Sequence, residues 1–260
     1  MATEQIRFAV AAKQRNTIKA SELSRFLNRY FYFCMSLLVA AVVIYGFSHT
    51  VDQRLIHATP PRPWLLWVHG TVFSAWLVFF IFQSALVRTG NVKLHRRTGW
   101  FGAALGALIP VLGIWTAIVM HRFDLTHFHL IAVQLPPTAA NPTFFAIQAV
   151  DILSFTVFFW LGIYWRKKPE FHRRLVLIAT CVLTAAGFGR FPMIPHQWFY
   201  VGVDTLIFLG VARDLIVNRR VHVVYRYALP VLVIFQIFAV QIWLHPPAWW
   251  VKLANAIIMG

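Results

Sequence analysis

The stretch Phe144–Trp165 reads FFAIQAVDILSFTVFFWLGIYW and is followed by the basic segment RKKPEFHRR, residues 166–174. Its single ionisable residue, Asp151, stands among aliphatic and aromatic side chains. A membrane-spanning helix needs about 20 mostly apolar residues, and Tyr and Trp at the end of such a run are typical of the membrane–water interface. The stretch therefore predicts a transmembrane helix that ends at a basic loop.

The same pattern recurs along the whole chain of 260 residues, of which 59% are hydrophobic and 12% charged. A soluble domain has about 25% charged residues. The sequence thus predicts an all-α, polytopic membrane protein, a bundle of seven transmembrane helices. The predicted spans are roughly Tyr30–Phe47, Trp64–Val87, Trp100–Met120, Phe144–Trp165, Leu175–Phe191, Trp198–Val217 and Tyr227–Leu244.

The basic residues predict the orientation of these spans. The N-terminal segment and the loops 88–99, 166–174 and 213–226 hold 19 of the 24 Lys and Arg residues. Basic loops stay on the cytoplasmic side, so we expect the N-terminus inside and the C-terminus outside. Three segments follow: a basic cytoplasmic segment 1–29, a transmembrane domain 30–246 and an outer-face tail 247–260. The orientation rule accounts for the net charge of +16, so the bilayer is the expected partner and nucleic acid is not.

Ionisable residues inside the predicted spans are candidates for a functional site, because a charge in hydrocarbon is costly and normally faces the bundle interior or water. The candidates are His69, Asp151, Arg190 and Asp204, with Gln148 one turn from Asp151. Helical rise places them at a similar depth in the outer half of the membrane. One interpretation is an outward-facing polar pocket that binds a small ligand, an ion or protons, for transport or sensing. The other is an internal ion-pair network that joins Arg190 to Asp151 or Asp204.

Two groups of histidines suggest further sites. His95 and His172 each precede an Arg-Arg pair at the basic end of a span, which suits an anchor for lipid head groups or a pair of axial ligands for one haem. His121, His127 and His129 crowd the segment after the third span, and the His127-x-His129 spacing suits Zn or Cu. A solvated loop accounts for the same residues.

Motifs of soluble enzyme classes are absent from the sequence, which contains no G-x-S-x-G, no H-E-x-x-H and no Walker loop. Whether the protein is an enzyme is left open by this observation. The many aromatic residues, 24 Phe and 11 Trp, suit contacts with lipid or with other membrane proteins, so a non-catalytic subunit of a larger membrane complex is a third interpretation.

One stretch carries a resemblance to a known group of proteins. It contains His69-Gly70, Trp76, Gln83, Arg88 and Leu94-His95-Arg96-Arg97-Thr98-Gly99. The pattern resembles bacterial polytopic inner-membrane proteins of unassigned function, which are distantly similar to the transmembrane b-type cytochromes that act on ascorbate or ferric iron. The resemblance implies a bacterial inner-membrane location and a haem b held by His95 and His172. A second haem would need a histidine on the fourth helix, which has Gln148 and Asp151 instead.

Overall fold

The computed structural model describes residues 2–127 and 142–260, with side chains described from Glu22 and, after the gap, from Thr143. This part of the chain is helical and contains no strand. The principal helices are α1 (Ala2–Ser48), α2 (Trp64–Arg88), α3 (Val92–His127), α4 (Phe145–Tyr164), α5 (Pro169–Val182), α6 (Ala185–Phe188), α7 (Phe199–Asn218), α8 (Val223–Leu244) and α9 (Ala248–Met259).

Local sequence explains several of the helix boundaries. Pro63 precedes α2 and Pro169 is the first residue of α5, positions where the missing N–H of proline breaks no helical hydrogen bond. Arg219 ends α7 in the left-handed conformation, with φ of 56°, which stops a helix and reverses the chain.

Within residues 2–127 and 142–260, six segments are long and apolar enough to cross a membrane. They are Glu22–Ser48, α2, α3, α4, the combined α5–α6 segment Pro169–Phe188, and α8. The sequence predicted seven, and the difference is α7, which carries Asp204, Arg213 and Asp214 within 20 residues. The coarser prediction, an all-helical protein with several apolar helices suited to a bilayer, is confirmed.

The bundle is organised around α4, which packs against α3, α5 and α8, while α1 packs against α2, α5, α6 and α7. Aromatic side chains fill much of the core; Trp76 of α2 meets the rings of Phe155 and Phe159 edge-on. The backbones of α1 and α6 approach so closely that a Cβ atom on Gly46 would overlap the Gly187 carbonyl group. Small residues permit such contacts between membrane helices.

The helix bundle has two ends, each with its own loops and contacts. We call the end that contains the loops 89–91, 165–168 and 219–222 the basic end. There the Arg88 guanidinium lies over the rings of Tyr30 and Phe33. At the opposite end the predicted tail 247–260 forms α9, which packs back on the bundle through Trp250 and Ile258.

Candidate functional site

Two hydrogen bonds link predicted site residues across helices near the opposite end. The His121 Nε2 atom of α3 lies 2.7 Å from the Gln148 Oε1 atom of α4. One turn along α4, the Asp151 Oδ1 atom accepts a hydrogen bond of 2.7 Å from the Tyr200 hydroxyl of α7. Gln148 and Asp151 thus share a face of α4, as their spacing predicted, and this face joins α3 to α7.

Asp204 extends this set of polar groups. It lies one turn from Tyr200 on α7 and beside Gln236 of α8. The Asp204 Oδ1 and Gln236 Nε2 atoms are buried without a hydrogen-bond partner. We call His121, Gln148, Asp151, Tyr200, Asp204 and Gln236 the polar track. It reaches from α3 through α4 and α7 to α8.

Among the described residues, neither His69 nor Arg190 forms an ion pair with the two aspartates. The His69 ring stacks on Phe73 at a centroid distance of 4.0 Å and lies close to the Leu112 carbonyl of α3. The Arg190 guanidinium donates to the Thr50 hydroxyl at 3.1 Å and to the Ala186 carbonyl.

The structure therefore brings together only part of the predicted set. In the described residues no ion pair joins Arg190 to Asp151 or to Asp204, so the ion-pair network considered from the sequence is not formed. Whether His69, Gln148, Asp151, Arg190 and Asp204 bind a ligand stays a prediction.

Sequence reasoning missed two members of the polar track, Tyr200 and Gln236. Tyr200 lies near the start of a predicted span, where an aromatic residue is expected as an interface anchor. Its position four residues before Asp204, about one helical turn, is the signal that could have identified Tyr200 as part of the same site. Gln236 is a polar residue in the middle of the apolar helix α8, a placement that itself favours a partner inside the bundle.

Two of the three predicted metal ligands, His121 and His127, lie in the described residues, and they have different surroundings. His121 is buried and interacts with Gln148, whereas His127 is exposed and stacks on Phe123 with ring centroids 4.0 Å apart. His129 lies outside the described residues. Among the residues that are described, no three His, Cys, Asp or Glu side chains form a group suited to a metal ion.

The two histidines of the predicted haem site come together at the basic end. The ring centroids of His95 and His172 lie 6.3 Å apart, with the ring planes at 72°. The His172 Nδ1 atom lies 2.9 Å from the Gly162 carbonyl oxygen of α4. The His95 Nδ1 atom is buried without a hydrogen-bond partner, and the ring lies close to the Gln83 carbonyl of α2.

A cluster of buried charges also lies at the basic end. The Arg174 Nε atom donates to the Asp214 Oδ2 atom at 2.8 Å, and the Arg213 Nη1 atom donates to Asp214 Oδ1 at 3.0 Å. All three residues are almost completely buried. From the sequence, Arg174 was expected in the loop 166–174, and Arg213 and Asp214 where the predicted span Trp198–Val217 overlaps the loop 213–226. Their pairing was not predicted, because Arg174 and Asp214 are 40 positions apart and nothing local signals it.

An open, mostly apolar groove of about 510 Å³ lies on the surface and is lined by some of the side chains between Phe188 and Leu206. None of the predicted ligand-binding, cofactor-binding or metal-binding residues contributes to its lining. The groove and the polar track are thus separate features.

Comparison with known proteins gives this chain no relative: no protein-family model, no curated protein and no solved structure matches it.

Proposed function

We propose that this chain is a seven-helix membrane protein whose polar track takes up protons or a small cation from the outer face, for transport or sensing. In this proposal α7 also crosses the membrane, as the sixth of seven spans; its Arg213 and Asp214 pair inside the bundle, and its Asp204 belongs to the polar track. The basic end faces the cytoplasm of a bacterium, as the distribution of Lys and Arg predicts, and the polar track lies toward the outside of the inner membrane.

The observation that carries the proposal is the environment of Asp151. This carboxylate lies inside the apolar helix α4 and receives a hydrogen bond from the Tyr200 hydroxyl. No Lys, Arg or His side chain of the described residues lies within ion-pair distance of it. An uncompensated charge inside a membrane is costly and is a functional-site hypothesis by default, so a proton or cation is the expected counterpart.

The buried charges at the basic end provide an internal comparison. Asp214 accepts hydrogen bonds from two arginines and from Asn218, which is how a structural carboxylate in this protein is neutralised. Asp151 and Asp204 have no such arrangement. The neighbouring polar groups, Tyr200 at Asp151 and Gln236 beside Asp204, are uncharged and leave the negative charge uncompensated, which favours an exchangeable ligand over a fixed structural role.

Infrared spectroscopy of the purified protein in liposomes tests this proposal directly. We expect the C=O band of a protonated carboxyl group to change with pH, or with added Na⁺ or K⁺ at fixed pH, and to disappear in Asp151→Asn. Asp52→Asn, which changes an exposed carboxylate outside the spans, is the matched control and should leave the band unchanged. An Asp151 signal that responds neither to pH nor to either cation overturns the proposal.

A flux measurement then separates transport from sensing. Liposomes that contain the protein and a pH-sensitive dye are given a potassium gradient and valinomycin to drive proton entry. Proton entry that is lost in Asp151→Asn and kept in Asp52→Asn indicates transport. No protein-dependent proton entry, together with an infrared band that responds to pH, indicates sensing; where the band responds to Na⁺ or K⁺ instead, uptake of that cation into the liposomes is measured in the same variants.

A second candidate function, haem binding, is favoured by the histidine pair at the basic end. A metal held between two imidazoles by bonds of about 2 Å places the ring centroids about 6 Å apart, and His95 and His172 have a separation of 6.3 Å. The contact of His172 Nδ1 with the Gly162 carbonyl is the kind of interaction that fixes a ligating ring and leaves its other nitrogen free. The separation of the two rings is compatible with both residues ligating one metal, and His95 and His172 would then be the residues that hold the haem.

A haem held by two histidines supplies one-electron transfer. In this candidate His95 and His172 hold the group, and the Gly162 carbonyl orients the His172 ring. The visible spectrum of protein purified from haem-supplemented cells tests it. A Soret band that is lost in both His95→Ala and His172→Ala, and kept in the control His196→Ala, supports the candidate; a colourless wild-type protein contradicts it.

A further inference from the structure

The charged cluster at the basic end contains more hydrogen-bond donors than acceptors. Both carboxylates of the cluster already accept hydrogen bonds from arginines: Asp214 accepts from Arg174, Arg213 and also from Asn218, and Glu170 accepts from Arg173 and Arg174. Three arginines thus face two carboxylates, which leaves one surplus positive charge.

Four donor atoms of the same region are buried without a hydrogen-bond partner: Tyr32 Oη, Tyr225 Oη, Arg173 Nε and Arg213 Nε. Both arginine nitrogens can only donate, and each tyrosine hydroxyl offers one O–H donor. Buried polar groups are nearly always hydrogen-bonded, so four unpartnered donors in one cluster need an explanation.

Contacts among these residues place the donors around one region between four helices. The guanidinium carbons of Arg173 and Arg213 lie 5.1 Å and 5.8 Å from the Tyr32 ring centroid. The Arg174 guanidinium lies 6.0 Å from the Tyr225 ring. The Tyr225 hydroxyl lies against α7, since a Cβ atom on Gly210 would overlap it. Helices α1, α5, α7 and α8 therefore each contribute to the region.

The chemistry of the region selects an anion. A water molecule accepts hydrogen bonds but leaves the surplus charge in place, whereas an oxyanion accepts from several donors and neutralises the charge. Tyr32 and Arg173 are half-buried and lie at the edge of the cluster, while Tyr225 and Arg213 lie deeper. Tyr32 and Arg173 therefore form the side of the cluster from which an oxyanion would approach the deeper donors.

We propose that Tyr32, Arg173, Arg213 and Tyr225 form a binding site for a phosphate group at the basic end of the bundle. The phosphate belongs to an anionic phospholipid or to a small soluble phosphate, because both present the same oxygens. Basic pockets between membrane helices on the cytoplasmic side are suited to anionic head groups. The site is independent of the polar track and of the histidine pair.

Thermal unfolding of the full chain in uncharged detergent, after removal of bound lipid, tests the site. The probes are inorganic phosphate and short-chain phosphatidylglycerol; phosphatidylcholine and NaCl at matched ionic strength are the controls. We expect a saturable rise of the unfolding midpoint with one of the two probes. A response to phosphate assigns a soluble ligand, and a response to phosphatidylglycerol alone assigns a lipid.

The variants Tyr32→Phe and Tyr225→Phe each remove one donor and keep the ring. We expect each to weaken binding by roughly tenfold, the effect of one hydrogen bond to a charged group. Tyr227→Phe, two residues from Tyr225 and exposed, is the matched control and should bind as the wild type does. The proposal is overturned if NaCl or phosphatidylcholine stabilises the protein equally, if no probe stabilises it, or if both variants retain wild-type affinity.

Discussion

The substitution Asp214→Asn should be among the most destabilising charge changes in this protein. The side chains of Asp214 and Arg174 are both 0% exposed, and the carboxylate accepts hydrogen bonds from both Arg174 and Arg213. Removal of one partner of a buried pair leaves a charge without compensation and typically costs about 3–5 kcal/mol. Here Arg213 loses its carboxylate partner and Arg174 keeps only the half-exposed Glu170, so we expect a loss within that range.

Glu170→Gln is the matched control, because Glu170 also accepts a hydrogen bond from Arg174, at 2.7 Å, but its side chain is 52% exposed. Pairs that involve an exposed carboxylate contribute about 0–1 kcal/mol. Reversible unfolding in mixed micelles of a mild detergent and sodium dodecyl sulfate gives both free energies of unfolding. Equal losses in the two variants, or a loss below about 1 kcal/mol for Asp214→Asn, refute the assignment of Asp214 as the central acceptor of the cluster.

Three other substitutions test the packing and the polar contacts. Gly46→Leu places a side chain where the Gly187 carbonyl lies, so we expect a loss of at least about 1–3 kcal/mol in the same unfolding assay; Gly70→Leu, at a position with open space, should cost much less. Gln148→Ala removes the hydrogen-bond partner of the buried His121 ring and should cost about 1–3 kcal/mol, whereas Gln148→Glu keeps an acceptor and should cost less; equal losses in both variants argue against this contact. His222 caps α8 by accepting a hydrogen bond from the Val224 N–H at 3.2 Å, and partial burial together with the nearby Arg174 lowers the pKa of this histidine below 6.5. The folded state thus favours neutral His222, so the contribution of this residue to stability is present above pH 6.5 and is lost as the pH falls through the lowered pKa. His222→Asn keeps an acceptor and should remove this part of the pH dependence of stability.

The helices predicted most accurately from the sequence are those that consist of long apolar runs. The predicted spans Trp64–Val87 and Phe144–Trp165 agree with α2 and α4 to within one residue at each end. Both helices expose many apolar side chains on their outer faces, and uninterrupted apolar composition is a local property that the sequence displays directly.

Helix ends with charged residues were predicted less well. The predicted span began at Leu175, whereas α5 begins at Pro169 and includes Arg174. A run of Lys and Arg usually marks a loop, and only the distant Asp214 makes the burial of Arg174 favourable. Pairing between residues that are far apart in the chain depends on tertiary packing, which composition and periodicity do not report.

In the candidate site, too, the features that depend on local spacing were predicted, and those that depend on tertiary packing were not. The shared face of Gln148 and Asp151 follows from helical spacing, and the structure has it. The position of Arg190 did not follow, because the helix is interrupted after Val182 and resumes as the short α6. After that interruption the Arg190 guanidinium donates to Thr50, in the segment after α1, and forms no ion pair with either aspartate among the described residues.

The most direct test of the central claim, that the polar track is open to water from the face opposite the basic end, is cysteine accessibility. The native thiols Cys34 and Cys181 are first replaced by serine and alanine, and single variants Asp204→Cys and Phe208→Cys are then made. Residue 208 lies one turn along α7 with a side chain 55% exposed on the outer surface of the bundle, where lipid is expected to surround it. We predict that a membrane-impermeant methanethiosulfonate reagent added to intact cells modifies the cysteine at position 204 and not the one at position 208; modification of neither, or of both at similar rates, contradicts the account.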